Sequence, residues 1–237
     1  MTDLIAIVPS AGLGRRFDPS KRKTFVNVGE TPLLVHTLKR LHREQLIKEI
    51  IPVLREDDID MGKRMAREYG LHKISRIAPG GKERQDSIYN ALKMIGQDGR
   101  GSGSCCVLIH DGVRPFIPEG MIEGLVTGLN GVDGVVPGIP VKDTIKEVDD
   151  QGIVLSTLDR DRMRAVQTPQ FFSFRAIKDA YDRAIAEGFY ATDDAALVER
   201  AGGRIRIIEG SQYNIKVTTP EDLGMVEYVL ARQQDSP

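Results

Sequence analysis

The chain lacks several features that would assign it to a specialised class of protein. Among its 237 residues there is no tryptophan, aromatic residues make up 5%, and only two cysteines occur. Two cysteines are too few for a disulfide-based scaffold, and no apolar run reaches the length of a membrane-spanning helix. The net charge of −1 provides no overall excess of positive charge for a nucleic acid. We therefore expect a cytoplasmic protein whose partners include neither a membrane nor a nucleic acid.

Potentially reactive side chains in the middle of the chain have a structural interpretation. Cys105 and Cys106 are neighbours in an apolar run, and neighbouring side chains of a strand point to opposite faces of a sheet. They are therefore not placed to form a disulfide, and we interpret both as small buried residues in a reducing compartment. His110 ends the same run, and we expect it to be packed and hydrogen-bonded rather than to transfer protons.

The alternation of apolar runs with amphipathic segments predicts an α/β fold. Apolar runs typical of buried strands occur at residues 4–8, 50–54, 74–78 and 105–110. Helical spacing of apolar residues is found between them, at 32–43, 57–69 and 83–94. Strands separated by helices form parallel sheets, so we expect a mostly parallel central sheet with helices on both faces, as in Rossmann-like folds. Further elements are predicted as helices at 173–187, at 193–200 and from Pro220 onward, and as a strand at 205–208.

A β-hairpin arm interrupts this pattern at about residues 139–163. Residues 141–148 and 153–158 resemble strands, and Asp149-Asp150-Gln151-Gly152 between them is typical of a turn. An isolated two-stranded hairpin is only marginally stable, so the arm should pack against something else. A second copy of the chain is the expected partner. We therefore predict a single domain, residues 1–237, that forms a homodimer through its β-arm.

The loop after the first strand has the composition of a phosphate-binding site. Pro9-Ser10-Ala11-Gly12-Leu13-Gly14 follows the strand directly, and the next residues include Arg15, Arg16, Lys21, Arg22 and Lys23. Glycine lets the backbone approach a ligand closely, and the cations suit an anion. The segment has neither the Gly-Lys-Ser/Thr end of a P-loop nor the third small residue of a dinucleotide fingerprint, where Phe17 stands. The predicted ligand is a nucleotide; the alternative is a tight strand-to-helix turn without a ligand.

Seven segments, in order along nearly the whole chain, resemble one enzyme family. They are Pro9-Ser10-Ala11-Gly12-Leu13-Gly14-Arg15-Arg16, Gly80-Gly81-Lys82-Glu83-Arg84-Gln85-Asp86-Ser87, His110-Asp111-Gly112-Val113-Arg114-Pro115, Pro140-Val141-Lys142-Asp143-Thr144, Asp159-Arg160, Gln167-Thr168-Pro169-Gln170-Phe171-Phe172 and Asn214-Ile215-Lys216-Val217-Thr218. The family is 2-C-methyl-D-erythritol 4-phosphate cytidylyltransferase of the non-mevalonate isoprenoid pathway. The resemblance implies a nucleotidyltransferase domain of the nucleotide-diphosphate-sugar-transferase type, with a β-arm that builds a homodimer.

The family resemblance implies transfer of CMP from CTP to the phosphate of 2-C-methyl-D-erythritol 4-phosphate. The products are 4-diphosphocytidyl-2-C-methyl-D-erythritol and pyrophosphate. The acceptor's phosphate oxygen attacks the α-phosphorus in line, so the enzyme needs neither a nucleophile nor a general base. Fixed cations must instead hold two mutually repelling anions together. Mg²⁺ is the implied cofactor, bound mainly through the CTP phosphates, with Asp111 as a candidate protein ligand.

The resemblance also implies roles for individual residues. The implied catalytic cations are Arg16, Lys23, Arg160 and Lys216, with Arg160 reaching the site from the arm of the second copy. Lys21 is the alternative to Lys23, because Arg22-Lys23-Thr24-Phe25 departs from the Pro-Lys-Gln of the family. The implied nucleotide contacts are Pro9, Ser10, Ala11, Gly12, Leu13, Gly14, Gly81, Ser87 and Asp111. The implied acceptor contacts are Asp111, Arg114, Thr144, Arg160, Thr168 and Lys216.

Two other functions share some of these sequence features. Ribitol-5-phosphate cytidylyltransferases have similar His-Asp, Gln-Thr-Pro-Gln and Asn-Ile-Lys-Val segments, whereas Arg-Gln-Asp-Ser and Val-Lys-Asp-Thr favour the erythritol acceptor. The second alternative is a non-catalytic nucleotide-binding homologue. We expect such a protein to have lost its phosphate-binding cations, but Arg16, Lys23, Arg160 and Lys216 are all present.

Overall fold

Helices and strands alternate along most of the chain. The computed structural model of the protein describes residues 3–12, Phe17, 23–99 and 105–234. Its α-helices are α1 (Leu33–Arg43), α2 (Ile59–Glu68), α3 (Arg84–Gln97), α4 (Met121–Gly128), α5 (Phe174–Glu187), α6 (Asp194–Arg200) and α7 (Asp222–Gln234). Its strands are β1 (Leu4–Pro9), β2 (Asn27–Val28), β3 (Thr31–Pro32), β4 (Ile47–Leu54), β5 (Ala78–Pro79), β6 (Cys106–Ile109), β7 (Gly134–Pro140), β8 (Lys146–Val148), β9 (Val154–Thr157), β10 (Arg164–Val166), β11 (Gln170–Ser173) and β12 (Ile205–Glu209). None of the helices in these ranges is long and apolar enough to cross a bilayer.

Eight strands form one central sheet in the order β10-β7-β11-β6-β1-β4-β5, with β12 also paired to β7. The pairs β6–β1, β1–β4, β4–β5 and β7–β12 are parallel. β11 runs antiparallel to β6 and β7, and β10 runs antiparallel to β7. The sequences of β1, β4 and β6 are rich in apolar residues because both faces of the sheet are covered. The predicted α/β fold with a mostly parallel central sheet is confirmed.

Alternate residues of β1 point into two separate hydrophobic cores. Ile5 and Ile7 pack with α3, α5 and α6 on one face of the sheet. Ala6 and Val8 pack with α1, α2 and α4 on the other face, because successive side chains of a strand point in opposite directions. The predicted placement of helices on both faces is therefore confirmed.

The adjacent cysteines follow the same alternation. Cys105 lies in the first of these cores and Cys106 in the second, and both are buried. Burial raises the pKa of Cys106 to about 11, with a smaller contribution from Cys105. The predicted burial of both residues on opposite faces of the sheet is therefore confirmed.

Several elements differ from the sequence-based predictions. The helix α4 and the strand β7 were not predicted. The strand expected at 74–78 is reduced to β5, because residues 74–77 leave the sheet and pack their two isoleucines against the core as coil. The last helix begins at Asp222 rather than Pro220, because the Asp222 carboxylate accepts the backbone N–H groups of the two residues that precede Pro220.

The arm extends from the end of β7 to the start of β10, at residues 141–163, and these two strands pair at its base. Within the arm, β8 and β9 form a separate two-stranded sheet. Its turn is closed by Asp149, whose Oδ1 accepts the backbone N–H groups of Gln151 and Ile153 at 2.9 Å. The predicted hairpin is therefore present. It carries exposed apolar side chains at Val148, Ile153, Val154 and Leu155.

Candidate active site

A cleft of about 650 Å³ opens where four neighbouring parallel strands end. β6, β1, β4 and β5 are adjacent and parallel, so their carboxyl ends share one edge of the sheet. This edge is the usual ligand position in open α/β sheets. The residues that line the cleft are Pro9, Ser10, Ala11, Gly12, Lys23, Thr24, Arg55, Gly81, Lys82, Glu83, Arg84, Ser87, Asp111, Val113 and Lys216.

The loops after β1 and β5 form a continuous floor because small residues let them approach each other. A Cβ atom on Gly80 would lie 2.5 Å from that of Ala11, so only glycine allows this separation. The N–H of Gly81 donates a hydrogen bond to Ser87 Oγ at 2.9 Å, and this hydroxyl donates in turn to the carbonyl of Glu83 at 3.0 Å. The loop after β5 is thereby tied to the first turn of α3.

Asp111, which follows β6, is surrounded by three cations. Its Oδ2 lies 2.9 Å from Lys216 Nζ and 3.3 Å from Arg114 Nε, and its Oδ1 lies 3.5 Å from Arg84 Nε. Burial by itself would raise the pKa of Asp111, but the attraction of Arg84, Lys216 and Arg114 outweighs burial and holds this pKa well below its usual value. Asp111 is therefore ionised at neutral pH.

The two predicted catalytic lysines that the structure describes, Lys23 and Lys216, come together at the cleft. Lys23 Nζ donates to the carbonyl of Val217 at 2.9 Å. Val217 is fully buried, and its N–H donates to the carbonyl of Val113 at 3.0 Å. Hydrogen bonds thus fix both the carbonyl and the N–H of Val217, the residue after Lys216. The Lys216 side chain itself is 43% exposed. The ammonium group is therefore accessible from the cleft.

Arg84 connects the cleft to a buried carboxylate that the sequence analysis did not assign. Its guanidinium donates to both oxygens of Asp194, at 3.0 and 2.8 Å, and the Tyr181 hydroxyl donates to the same carboxylate at 2.5 Å. Burial would lower the pKa of Arg84, but the charges of Asp194 and Asp111 raise it above its usual value. Arg84 is thus held in its charged form between the cleft and an adjoining cavity of about 430 Å³.

Comparison with known proteins identifies the family of the chain. Residues 4–232 match the family model described as 2-C-methyl-D-erythritol 4-phosphate cytidylyltransferase. The chain belongs to this family. Curated members with that name from Bacillus mycoides and Syntrophus aciditrophicus are 41% and 40% identical to it; the alignments cover 96% and 98% of this chain and 98% and 97% of the relatives. The crystal structure of 4-diphosphocytidyl-2C-methyl-D-erythritol synthase from Anaerococcus prevotii superimposes with a TM-score of 0.83 and 31% identity, over 97% of this chain and 96% of that one.

Membership of the cytidylyltransferase family confirms the resemblance inferred from the seven segments. It also makes the chain an enzyme of the nucleotidyltransferase class, as predicted. The structural match confirms the fold class, because the two folds superimpose over nearly the full length of both chains.

Most of the predicted site residues meet at the cleft. Those that line it are Pro9, Ser10, Ala11, Gly12, Lys23, Gly81, Ser87, Asp111 and Lys216. Leu13, Gly14 and Arg16 lie outside the described residues, as does Lys21, the alternative to Lys23. Sequence reasoning missed the lining residues Thr24, Arg55, Lys82, Glu83, Arg84 and Val113.

Four predicted acceptor contacts are not among the lining residues of the cleft. Arg114 and Thr168 are buried beside Asp111: Arg114 pairs with its carboxylate, and Thr168 Oγ1 accepts its backbone N–H at 3.1 Å. Thr144 and Arg160 lie on the arm and are exposed. Arg160 donates to the carbonyl of Lys142 at 2.9 Å, so within one chain its described contact is to the arm itself.

The donor set of this cytidylyltransferase cleft fits a metal ion carried by a nucleotide. No three His, Cys, Asp or Glu side chains are grouped as a metal site in the part of the chain that the structure describes. Of the two carboxylates lining the cleft, Glu83 accepts a hydrogen bond in the capping box of α3, which leaves Asp111 as the candidate ligand. One ionised carboxylate suffices for Mg²⁺ when phosphate oxygens and water provide the remaining ligands.

Replacing Asp111 by asparagine should destabilise the protein, because three cations then lose their shared counter-charge. We expect the free energy of unfolding to fall by about 3 kcal/mol in urea denaturation at neutral pH. The folded protein holds the pKa of Asp111 below its value in the unfolded chain. The difference in free energy of unfolding between the wild type and Asp111→Asn should therefore be constant above about pH 5, and it should decrease below about pH 4 as Asp111 becomes protonated.

The matched control is Asp60→Asn, which removes an exposed carboxylate that pairs with Lys63. This variant should unfold like the wild type, because exposed ion pairs contribute little to stability. Equal stability of the Asp111→Asn variant and the wild type at neutral pH would contradict the electrostatic role assigned to Asp111.

Proposed function

We propose that the chain transfers a cytidylyl group from CTP to the phosphate of 2-C-methyl-D-erythritol 4-phosphate and releases pyrophosphate. The family match over residues 4–232 supports this activity. The observation that carries the proposal is the charge of the cleft, where five basic side chains face two acidic ones. The basic residues are Lys23, Arg55, Lys82, Arg84 and Lys216, and the acidic ones are Glu83 and Asp111. This positive surplus suits two substrates that both carry phosphate.

CTP is proposed to occupy the part of the cleft between the loop after β1 and the loop after β5. Pro9 ends β1 and has no N–H, and the Ser10 N–H donates to the carbonyl of Val53 at 2.9 Å, so the N–H groups proposed to meet the phosphates are those of Ala11 and Gly12. Lys23 lies beside this loop and provides a compact positive charge. Gly81 and Ser87, at the opposite side, are proposed to contact the cytosine. Arg16 is proposed to assist Lys23 in stabilising the leaving pyrophosphate.

The reaction requires placement of charge rather than an enzyme nucleophile. An oxygen of the acceptor phosphate attacks the α-phosphorus of CTP. The new P–O bond forms as the bond from the α-phosphorus to the bridging oxygen breaks, and pyrophosphate leaves with the electron pair. Fixed cations favour this step because they offset the repulsion between the two anions and the charge that develops on the leaving group.

Lys216 is proposed to bind the acceptor phosphate. Its ammonium pairs with Asp111 at 2.9 Å, yet its side chain is partly exposed to the cleft. Arg84 and Arg114 also lie beside the Asp111 carboxylate and keep it ionised when Lys216 turns toward a phosphate. The acceptor phosphate can therefore recruit Lys216 without leaving Asp111 as a buried charge with no counter-charge.

Mg²⁺ is proposed as the cofactor, held mainly by the CTP phosphates with Asp111 as its protein ligand. When bound, it supplies neutralisation of phosphate charge. The support from this chain is the ionised carboxylate of Asp111 at the edge of the cleft.

A homodimer formed through the arm is proposed to complete the acceptor site. The exposed apolar residues Val148, Ile153, Val154 and Leu155 form a surface that dimerisation would bury. Arg160 and Thr144 lie on the same arm and are exposed within one chain. From the arm of a second copy they would supply a further positive charge and a hydroxyl group to the acceptor.

A cytoplasmic location is proposed for this enzyme. The support is the placement of its two cysteines, which are buried on opposite faces of the central sheet and so cannot pair with each other. A chain whose cysteines are used as small buried residues is typical of reducing compartments.

The acceptor is tested by turnover with a panel of sugar-alcohol phosphates and CTP, followed by pyrophosphate release. We expect kcat/KM for 2-C-methyl-D-erythritol 4-phosphate to exceed that for ribitol 5-phosphate by about a hundredfold, because a site built for one set of hydroxyls leaves polar groups unpaired with another. A preference for ribitol 5-phosphate would contradict the assigned acceptor. CTP binding without turnover on any acceptor would favour a nucleotide-binding homologue without catalytic activity.

The dimeric site is tested by mixing two variants, Arg160→Ala and Lys23→Ala, that we expect to be nearly inactive alone. If the arm crosses to the second copy, a mixed dimer contains one site with both residues intact. Statistical mixing should then restore about a quarter of wild-type activity. Arg162→Ala, which removes an exposed arginine of the same arm, is the matched control and should stay active alone. No recovery on mixing would show that Arg160 acts within its own chain.

A further inference from the structure

The hydrogen-bond partners of His110 define which of its ring nitrogens carries the proton. The residue is completely buried at the end of β6, one position before Asp111. Its Nε2 lies 2.9 Å from the carbonyl oxygen of Arg114, and its Nδ1 lies 3.1 Å from Thr168 Oγ1. A carbonyl oxygen only accepts hydrogen bonds, so Nε2 must be the protonated nitrogen.

The other ring nitrogen must then accept a hydrogen bond from Thr168. His110 is completely buried, and its two ring nitrogens face a carbonyl oxygen and a hydroxyl group, neither of which carries the negative charge that a buried imidazolium would need, so the ring is neutral. In a neutral ring with a proton on Nε2, Nδ1 is an acceptor, and the Thr168 hydroxyl donates to it. A lone pair of the same hydroxyl accepts the backbone N–H of Asp111 at 3.1 Å.

The Thr168 hydroxyl therefore both donates and accepts a hydrogen bond. Its single proton points to His110, its oxygen faces the Asp111 N–H, and the residue is 6% exposed. We propose that His110 and Thr168 are positioning residues, which fix the backbone of Asp111 so that its carboxylate meets Lys216 and Arg114. This inference rests on the proposed function. In it, Thr168 does not contact the acceptor directly, as the family resemblance implied, but acts by positioning Asp111.

The carbonyl of Thr168 extends the same connection to the segment that carries Lys216. Asn214 is completely buried, and its Nδ2 donates to the Thr168 carbonyl at 2.7 Å. The carbonyl of Asn214 accepts from Arg114 Nη1 at 2.7 Å, and Arg114 pairs with Asp111. Thr168 thus holds Asp111 through its hydroxyl and the Lys216 segment through its carbonyl. Both partners of the Asp111–Lys216 pair are placed from one buried residue.

The first test is read from the wild-type protein, and a substitution serves only to assign its signals. The ¹⁵N chemical shifts of ¹⁵N-histidine-labelled wild-type protein report which ring nitrogen is protonated, and a His110→Gln sample identifies the His110 signals. We expect a proton on Nε2 and a hydrogen-bonded, unprotonated Nδ1. A proton on Nδ1 would overturn the proposal, because the Thr168 hydroxyl could then not donate to the ring.

The second test compares Thr168→Val, which keeps the shape but loses the hydroxyl, with Thr168→Ser, which keeps it. We expect Thr168→Val to lower kcat/KM about tenfold or more, and Thr168→Ser to stay close to the wild type. Affinity for CTP, measured by calorimetry without acceptor, should also fall in Thr168→Val because Asp111 lines the cleft where CTP is proposed to bind. Thr127→Val, on the exposed face of α4, is the matched control and should change neither quantity.

A double-mutant cycle separates the positioning role from direct acceptor binding. If Thr168 acts with His110, the losses in Thr168→Val and His110→Gln should be strongly non-additive in the double variant. Additive losses, or a rise in acceptor KM with unchanged CTP affinity in Thr168→Val, would overturn the proposal in favour of direct contact. Failure of the wild type to turn over CTP would instead contradict the proposed function, while the NMR test of the His110 tautomer would stand unaffected.

Discussion

A buried carboxylate must keep its charge at the edge of the central sheet, and the site is organised around this constraint. Asp111 remains ionised only because Arg84, Arg114 and Lys216 surround it. Each of these cations is placed by a different part of the fold. Arg84 begins α3, Arg114 belongs to the loop after β6, and Lys216 precedes α7. Ionisation of one side chain therefore depends on the correct packing of three distant segments.

The topology of the sheet explains why these segments meet. Four parallel strands end at the same edge, so the loops that follow them converge on a single cleft. The antiparallel strand β11 pairs with β6 and begins two residues after Thr168, which brings the buried Thr168 next to His110 and Asp111. The parallel strands thus bring the charged residues to one cleft, and the segment that leads into the antiparallel strand β11 fixes the backbone of Asp111.

Local patterns in the sequence were sufficient for much of the fold and part of the site. Apolar runs and helical spacing predicted the alternation of strands and helices, and the composition of the loop around Gly12 predicted a phosphate site. Gly81, Asp111 and Lys216 were assigned to the site only through the resemblance of their segments to the family. The strand β7 was missed because it contains two glycines and two prolines, and pairing with three neighbouring strands overrides their weak strand propensity. The Arg84–Asp194 pair was missed because its partners lie 110 positions apart, and no local period links such residues.

The measurement that tests the central claim most directly is a crystal structure with the acceptor and a CTP analogue that cannot release pyrophosphate. Since the cations that line the cleft are proposed to gather both phosphorylated substrates, the triphosphate should lie on the loop after β1 beside Lys23. The acceptor phosphate should lie within hydrogen-bonding distance of Lys216 Nζ. A triphosphate bound outside this cleft, or an acceptor phosphate with no contact to Lys216, would contradict the claim.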